Sequence, residues 1–228
     1  IRRPPRSTLD RSSAASDVYK RQKFHRVENA ANNKEILFED SELEVKTAPL
    51  KHRIPSFAYR VNQKTRPGRF DIEKAKLKGI PPGPVYADLQ RGEEVRLEDG
   101  RIFSGKEFCG QPRPGVSMVY CTDTVYTESA IEISRKADLL IHESTYSYQE
   151  TEMAYERGHS TATMAAQIAA KANVDQLILT HLSPRYTPGN QTCPNDLLNE
   201  AKAIFPNTQL AKDFLQIDVN KSRNCNSS

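Results

Sequence analysis

Strands alternating with helices over the last third of the chain predict a layered α/β domain. From Val116 onward the sequence reads strand, helix, strand, helix, strand, helix. Three of its apolar runs end in groups that bind metals or move protons: Asp123, the pair His142 and Glu143, and His181. In a layered sheet the carboxyl ends of such strands share one edge, where ligands bind, so these side chains can converge.

Taken in order, the first segment, "IRRPPRSTLDRSSAASDVYKRQ", is not part of that pattern. Residues 1–22 carry six Lys/Arg against Asp10 and Asp17 and show neither helical nor strand periodicity, which predicts a disordered or non-native tail. The segment resembles translated adapter sequence more than protein. It also accounts for the whole formal charge of +4, because the remainder balances 27 basic against 27 acidic residues. Global charge therefore argues for neither nucleic acid nor membrane. No apolar run approaches the roughly 20 residues of a bilayer span, and the amino terminus lacks the apolar stretch of a secretory signal. The expectation is a cytoplasmic protein without membrane contact. Cys109, Cys121, Cys193 and Cys225 are irregularly spaced, which predicts free thiols.

From Phe24 the text becomes regular. "ILFED", "ELEVKTAPL" with Leu43, Val45 and Thr47 alternating against charged neighbours, and "SFAYRV" read as strands. Residues 62–84, "NQKTRPGRFDIEKAKLKGIPPGP", switch to Lys/Arg, Gly and Pro, with six basic residues between Gln63 and Gly79, and predict a poor core and a projecting arm. In "EVRLEDGRIF" a D-G turn between two short alternating runs is a strong hairpin signal. "VSMVYCTD", "DLLIHE" and "QLILTH" read as strands; "TESAIEISRKA", "STATMAAQIAAKAN" and the region of "DLLNEAKAIF" read as helices. Ser160 or Thr161 can cap the second helix, with Met164, Ile168 and Ala172 as its buried stripe. Residues 220–228 read as a second disordered tail.

Histidine nitrogen and aspartate oxygen are ligands that zinc accepts, and a bridging Asp can hold two metals together. His52, in the loop "PLKHRIPSFAYR", could add a further ligand, whereas His25 reads as a surface residue. His159 precedes a helix in "GHST" and, paired with a carboxylate, would suit proton delivery to a leaving alkoxide. Each of these residues also has an ordinary reading as a cap or loop residue at an element boundary.

In this order, the blocks "PLKHRIPSFAYRV", "KGIPPGPVYADLQRGEEVRLEDGRIF", "VYCTDT", "ADLLIHESTY", "GHSTATMAAQIA" and "LILTHLSPRY" resemble the tRNA 3′-processing endonucleases of the ribonuclease Z family, in the metallo-β-lactamase superfamily. The resemblance runs from about Phe24 to about Val219. It implies an α+β four-layer fold, the αββα sandwich, present here in part over residues 23–219, with a flexible tRNA-gripping arm at about residues 62–100. It implies two zinc ions per complete subunit, with His52 as a ligand of one, Asp123 bridging and His181 as a ligand of the other. His159 then protonates the leaving 3′-oxygen, Glu143 orients it and His142 is structural. Substrate contacts fall to Arg185 at the scissile phosphate and to Lys64, Arg66, Arg69, Pro82, Gly83 and Pro84 in the arm. The implied activity is removal of the 3′ trailer from precursor tRNA by metal-hydroxide attack on a phosphodiester, leaving a 3′-hydroxyl, by a homodimer in which one subunit's arm serves the other.

The chain departs from the family in one respect, since its H-x-H-x-D-H motif does not occur here. The expectation is a truncated reading frame with two protein ligands per metal, little or no activity alone, and uncovered apolar surface near Leu43 and Val119. Two other readings compete. One is a metallo-β-lactamase-type hydrolase of small esters or phosphodiesters, which has no need of the basic arm. The other is a non-catalytic RNA-binding subunit, which has no need of Asp123, His159 and His181.

Overall fold

The computed structural model of the chain describes residues 35–187 and 189–219. The two tails at 1–22 and 220–228, together with His25 and Cys225, lie outside the described residues. Strands β1 (Glu35–Glu39), β2 (Leu43–Leu50) and β3 (Ser56–Gln63) form an antiparallel meander at one side of a seven-stranded sheet. An inserted lobe follows, with helices α1 (Ile72–Leu77) and α2 (Pro84–Gln90) and the hairpin β4 (Glu94–Arg96) to β5 (Ile102–Ser104). The chain then re-enters the sheet as β6 (Ser117–Cys121), antiparallel to β3. Helix α3 (Glu128–Ser134), strand β7 (Leu139–Glu143), helices α4 (Thr151–Arg157) and α5 (Ala162–Ala172), strand β8 (Gln176–Thr180), helix α6 (Pro194–Lys202) and strand β9 (Thr208–Leu210) complete the order. From β6 to β9 all pairings are parallel.

The pleat explains where the core sits. Side chains alternate along each strand, so Ala58, Val119, Cys121, Leu140, Leu177 and Leu179 share the face that packs against α3, α5 and α6. Helix α5 is rich in alanine, which allows close approach to the sheet, and Thr161 is its N-cap, with Oγ1 accepting from Met164 N at 3.2 Å. Met164, Ile168 and Ala172 are buried as the periodicity predicts, together with four further residues of this helix.

The described residues thus form one main sheet with one helical layer on it. The opposite face carries Tyr59, Met118, Tyr120 and Ile141 by the same alternation. The uncovered surface expected near Val119 falls on its neighbour: Val119 is fully buried among the helices, whereas Tyr120 is 42% exposed, and edge strand β1 leaves Phe38 44% exposed.

Between β3 and β6 the structure departs from the reading of a poor core. The lobe has a hydrophobic centre of its own, with Ala75, Ile80, Leu89 and Phe108 buried and Phe70, Tyr86 and Phe103 packed on them. The Phe70 ring lies 5.0 Å from Tyr86 and 6.1 Å from Phe108. Two of these aromatics, Phe103 and Phe108, lie beyond residue 100, so this core extends past the arm boundary that the resemblance implies. The D-G turn forms the expected hairpin, with Gly100 at φ +84°. Strand β9 has too few apolar residues to be read in advance; it is defined by parallel pairing to β8. Cys109, Cys121 and Cys193 are free thiols. Among the described residues, no helix is long and apolar enough to cross a membrane.

Candidate functional site

The parallel strands β6, β7 and β8 all end at the same edge of the sheet, and the turn from β2 to β3 reaches that edge because β3 runs antiparallel to β6. This topology brings His52, Asp123, Glu143 and His181 together, and the loop entering α5 adds His159. Donor atoms of His52, Asp123 and His159 lie within 4.8 Å of one another, as do those of Glu143, His159 and His181. The His159 ring stacks on His181 with centroids 5.4 Å apart and lies 4.9 Å from His52. Asp123 Oδ1 stands 3.7 Å from His181 Nδ1.

Successive residues of β7 point to opposite faces, which separates two adjacent polar groups. His142 points into the helical core and is completely buried, with Nδ1 donating to the Glu143 carbonyl at 2.6 Å. Burial pushes its pKa down, so it stays a neutral structural residue. Glu143 points into the site, only 1% exposed. Its Oε1 accepts from Thr124 N at 3.0 Å, Ser160 N at 2.9 Å and His159 Nδ1 at 3.0 Å. Oε2 accepts from Thr145 N at 3.0 Å and Thr145 Oγ1 at 2.8 Å. Burial alone would raise the Glu143 pKa, but the bond from His159 and those from the backbone outweigh it and hold the carboxyl below its ordinary value. The same bond raises the pKa of His159.

A carboxylate and a carbonyl only accept, so His159 and His52 both carry their proton on Nδ1: His159 donates to Glu143, and His52 donates to the Gly158 carbonyl at 2.7 Å. Their Nε2 atoms are left bare. Gly158 is required twice over. It ends α4 in the left-handed conformation at φ +81°, and a Cβ there would stand 2.7 Å from His52 Nδ1. His181 is itself left-handed at φ +57°, a conformation costly for a residue with a side chain and typical of positions held by their surroundings.

Imidazole nitrogens and carboxylate oxygens converging on one open edge suit a zinc-like cation, and the donor groups close enough to hold one are His52, Asp123 and His159 in one cluster and Glu143, His159 and His181 in another. A cleft of about 280 Å³ opens beside His52 and Asp123, walled by Ile54, Pro55, Ser56, Phe57, Tyr59 and Thr122.

Arg185 lies one ring away from these groups. Its guanidinium sits 5.4 Å over Tyr146, whose ring meets His159 edge-on at 6.1 Å, and Nη1 is paired with Glu150 Oε1 at 2.5 Å. The lobe residues are not gathered into one patch. Lys64 is paired with Glu39 at 2.7 Å, and Arg66 lies at the neck, bridged through its backbone to Arg113. Arg69 is exposed beside the bridge of Phe70 to Cys109, whereas Pro82, Gly83 and Pro84 line a groove with Arg96 and Arg101. The residues that sequence reasoning missed are Thr145, Gly158 and Glu150; only Thr145 had a signal, as a hydroxyl two residues beyond Glu143.

A family profile described as a β-lactamase superfamily domain matches residues 108–182, the span that holds Asp123, Glu143, His159 and His181. A protein of Prochlorococcus marinus (strain NATL1A) named ribonuclease Z is 98% identical over 200 residues, covering 88% of this chain and 64% of that protein. The chain is thus similar over most of its length to a protein named ribonuclease Z, and the superfamily profile falls on the span that carries the site. A second relative, named ribonuclease Z, from Synechococcus sp. (strain CC9902), is 62% identical over 205 residues, covering 90% of this chain and 64% of its own length. Among solved structures, human tRNase Z, short form, aligns with a TM-score of 0.47 and 26% identity over 82% of this chain and 48% of that one. The chain thus spans just under two thirds of the length of the curated relatives it matches.

Proposed function

We propose that this chain carries the proton-delivering pair, part of a two-zinc centre and the substrate-binding lobe of an endoribonuclease that removes the 3′ trailer from precursor tRNA. The observation that carries the reading is the convergence of His52, Asp123, His159 and His181 on one sheet edge, beside a Glu143 that is fully hydrogen-bonded. The name shared by relatives up to 98% identical favours RNA as substrate over a small ester.

The Nδ1 bond of His159 to Glu143 fixes its ring and leaves Nε2 free to carry a second proton. Protonated on both nitrogens, it can give the Nε2 proton to a departing 3′-oxygen, and the buried carboxylate stabilises the imidazolium that precedes transfer. Zinc, when bound, supplies Lewis acidity and brings the pKa of water from about 15.7 to about 7. His52 and His181 would hold the two ions, and Asp123 would lie between them. Arg185 offers positive charge to the scissile phosphate, and the exposed basic and proline residues of the lobe meet the RNA away from the chemistry. The reading includes a cytoplasmic homodimer in which the lobe of one subunit serves its partner.

With three such ligands for two ions, the chain alone should bind zinc weakly and cleave little. The test joins this chain to the remaining sequence of its Prochlorococcus relative and assays a precursor tRNA bearing a 3′ trailer. The joined protein should cleave at the trailer junction, and Asp123→Ala should abolish turnover. A joined, zinc-loaded protein that hydrolyses a small phosphodiester but leaves precursor tRNA uncut would favour the small-substrate hydrolase.

A further inference from the structure

His181 is the one ring of the three whose tautomer is not dictated by a group that only accepts. Its Nδ1 lies 2.9 Å from Thr145 Oγ1, and a hydroxyl can either give or receive. Counting protons resolves the direction. Thr145 has a single hydroxyl hydrogen and two pure acceptors in reach, Glu143 Oε2 at 2.8 Å and the His181 carbonyl at 3.0 Å. The shorter contact is to a buried carboxylate, and a hydrogen bond to an ionised acceptor is roughly twice as strong as a neutral one. With its proton spent there, Oγ1 can only receive from His181, so His181 must carry its hydrogen on Nδ1.

We propose that Thr145 is a positioning residue that relays the charge of Glu143 to His181, so that one buried carboxylate sets the tautomers of two histidines with different tasks. Oε1 acts directly on His159. Oε2 acts through the hydroxyl on His181, leaving its Nε2 without a proton, as in His52 and His159. The inference rests on the reading above only in taking His181 as a metal ligand; the tautomer itself needs neither RNA nor turnover.

The test uses the full chain labelled with ¹⁵N-histidine, dilute and free of metal, with long-range proton–nitrogen spectra of its five imidazoles recorded at pH 8 and the His181 signals identified by their loss in His181→Asn. His181 should be protonated on Nδ1 and bare on Nε2, and Thr145→Ser should keep that pattern. Thr145→Val should lose it at His181 while His159 is unchanged. Competition of zinc against a chelator should show binding weakened about 10- to 100-fold in Thr145→Val and near wild type in Thr145→Ser. His181 protonated on Nε2 in the unaltered chain overturns the proposal, and that spectrum decides it even if Thr145→Val does not fold. A folded Thr145→Val with unchanged His181 tautomer and zinc affinity overturns it equally. The His181 pattern as stated, together with a joined protein that leaves precursor tRNA uncut, would remove the functional reading and leave the relay standing.

Discussion

His181 combines a left-handed backbone with a side chain aimed at the site, and the two demands can be separated by substitution. His181→Ala and His181→Gly both remove the imidazole, but only glycine relieves the φ of +57°. The glycine variant should be the more stable by about 1 kcal/mol in chemical denaturation, although both lose zinc binding alike. Cys121 offers a second check at this scale. Burial pushes its thiol from 9.0 up to about 12. Between those values the unfolded chain releases the proton and the folded chain keeps it, so stability falls as pH rises through the window, by at most about 1.4 kcal/mol per pH unit. Denaturation of the unaltered chain should therefore lose stability above pH 9 faster than Cys121→Ala does. At pH 8, iodoacetamide should alkylate Cys109 and Cys193 while sparing Cys121 until the chain unfolds.

The joins between elements, more than the elements, hold the site in place. Gly158 ends α4, lends its carbonyl to His52 and leaves room for that ring, so Gly158→Ala should cost about 1 kcal/mol and weaken zinc binding in the same protein. Zinc titration with a matched measurement of unfolding checks whether both effects appear together. The strands of the parallel half were legible because their apolar runs are long and end in Asp123, His142 with Glu143, and His181. The coming together of His52 and His159 was not legible in spacing, because it depends on β3 running antiparallel to β6 and on the turn at Gly158. Family resemblance, not periodicity, had assigned Glu143 to orient His159. The hydroxyl of Thr145 escaped notice because a threonine after a strand is an ordinary residue until its neighbours are known.

At the scale of the molecule, one face of the sheet is clothed in helices and the other presents Tyr59, Met118, Tyr120 and Ile141. Surface of that kind associates with itself or with hydrophobic dyes. The chain should bind anilinonaphthalene sulfonate in its native state and sediment as larger species as its concentration rises; a dye-silent monomer at high concentration would contradict this. Charge composition had set residues 62–84 apart from the sheet, whereas Asn62 and Gln63 still belong to β3, and it concealed a core, because the basic residues lie on the outside while Phe70, Tyr86, Phe103 and Phe108 meet within. Helices of six and seven residues are too short for periodicity to reveal.

The lobe leaves the sheet after Gln63 and returns at Ser117, and these two ends are already neighbours, with Gln63 N donating to the Val116 carbonyl at 2.7 Å and Asn62 paired with Ser117. Topologically the lobe is an overgrown hairpin loop. A short turn could replace it without moving a strand, and a different lobe could be set on the same two stumps, since lengthening a loop between fixed ends costs little. The proposed substrate-binding lobe and the proposed bond-breaking groups therefore sit on separable pieces of chain, free to change at different rates.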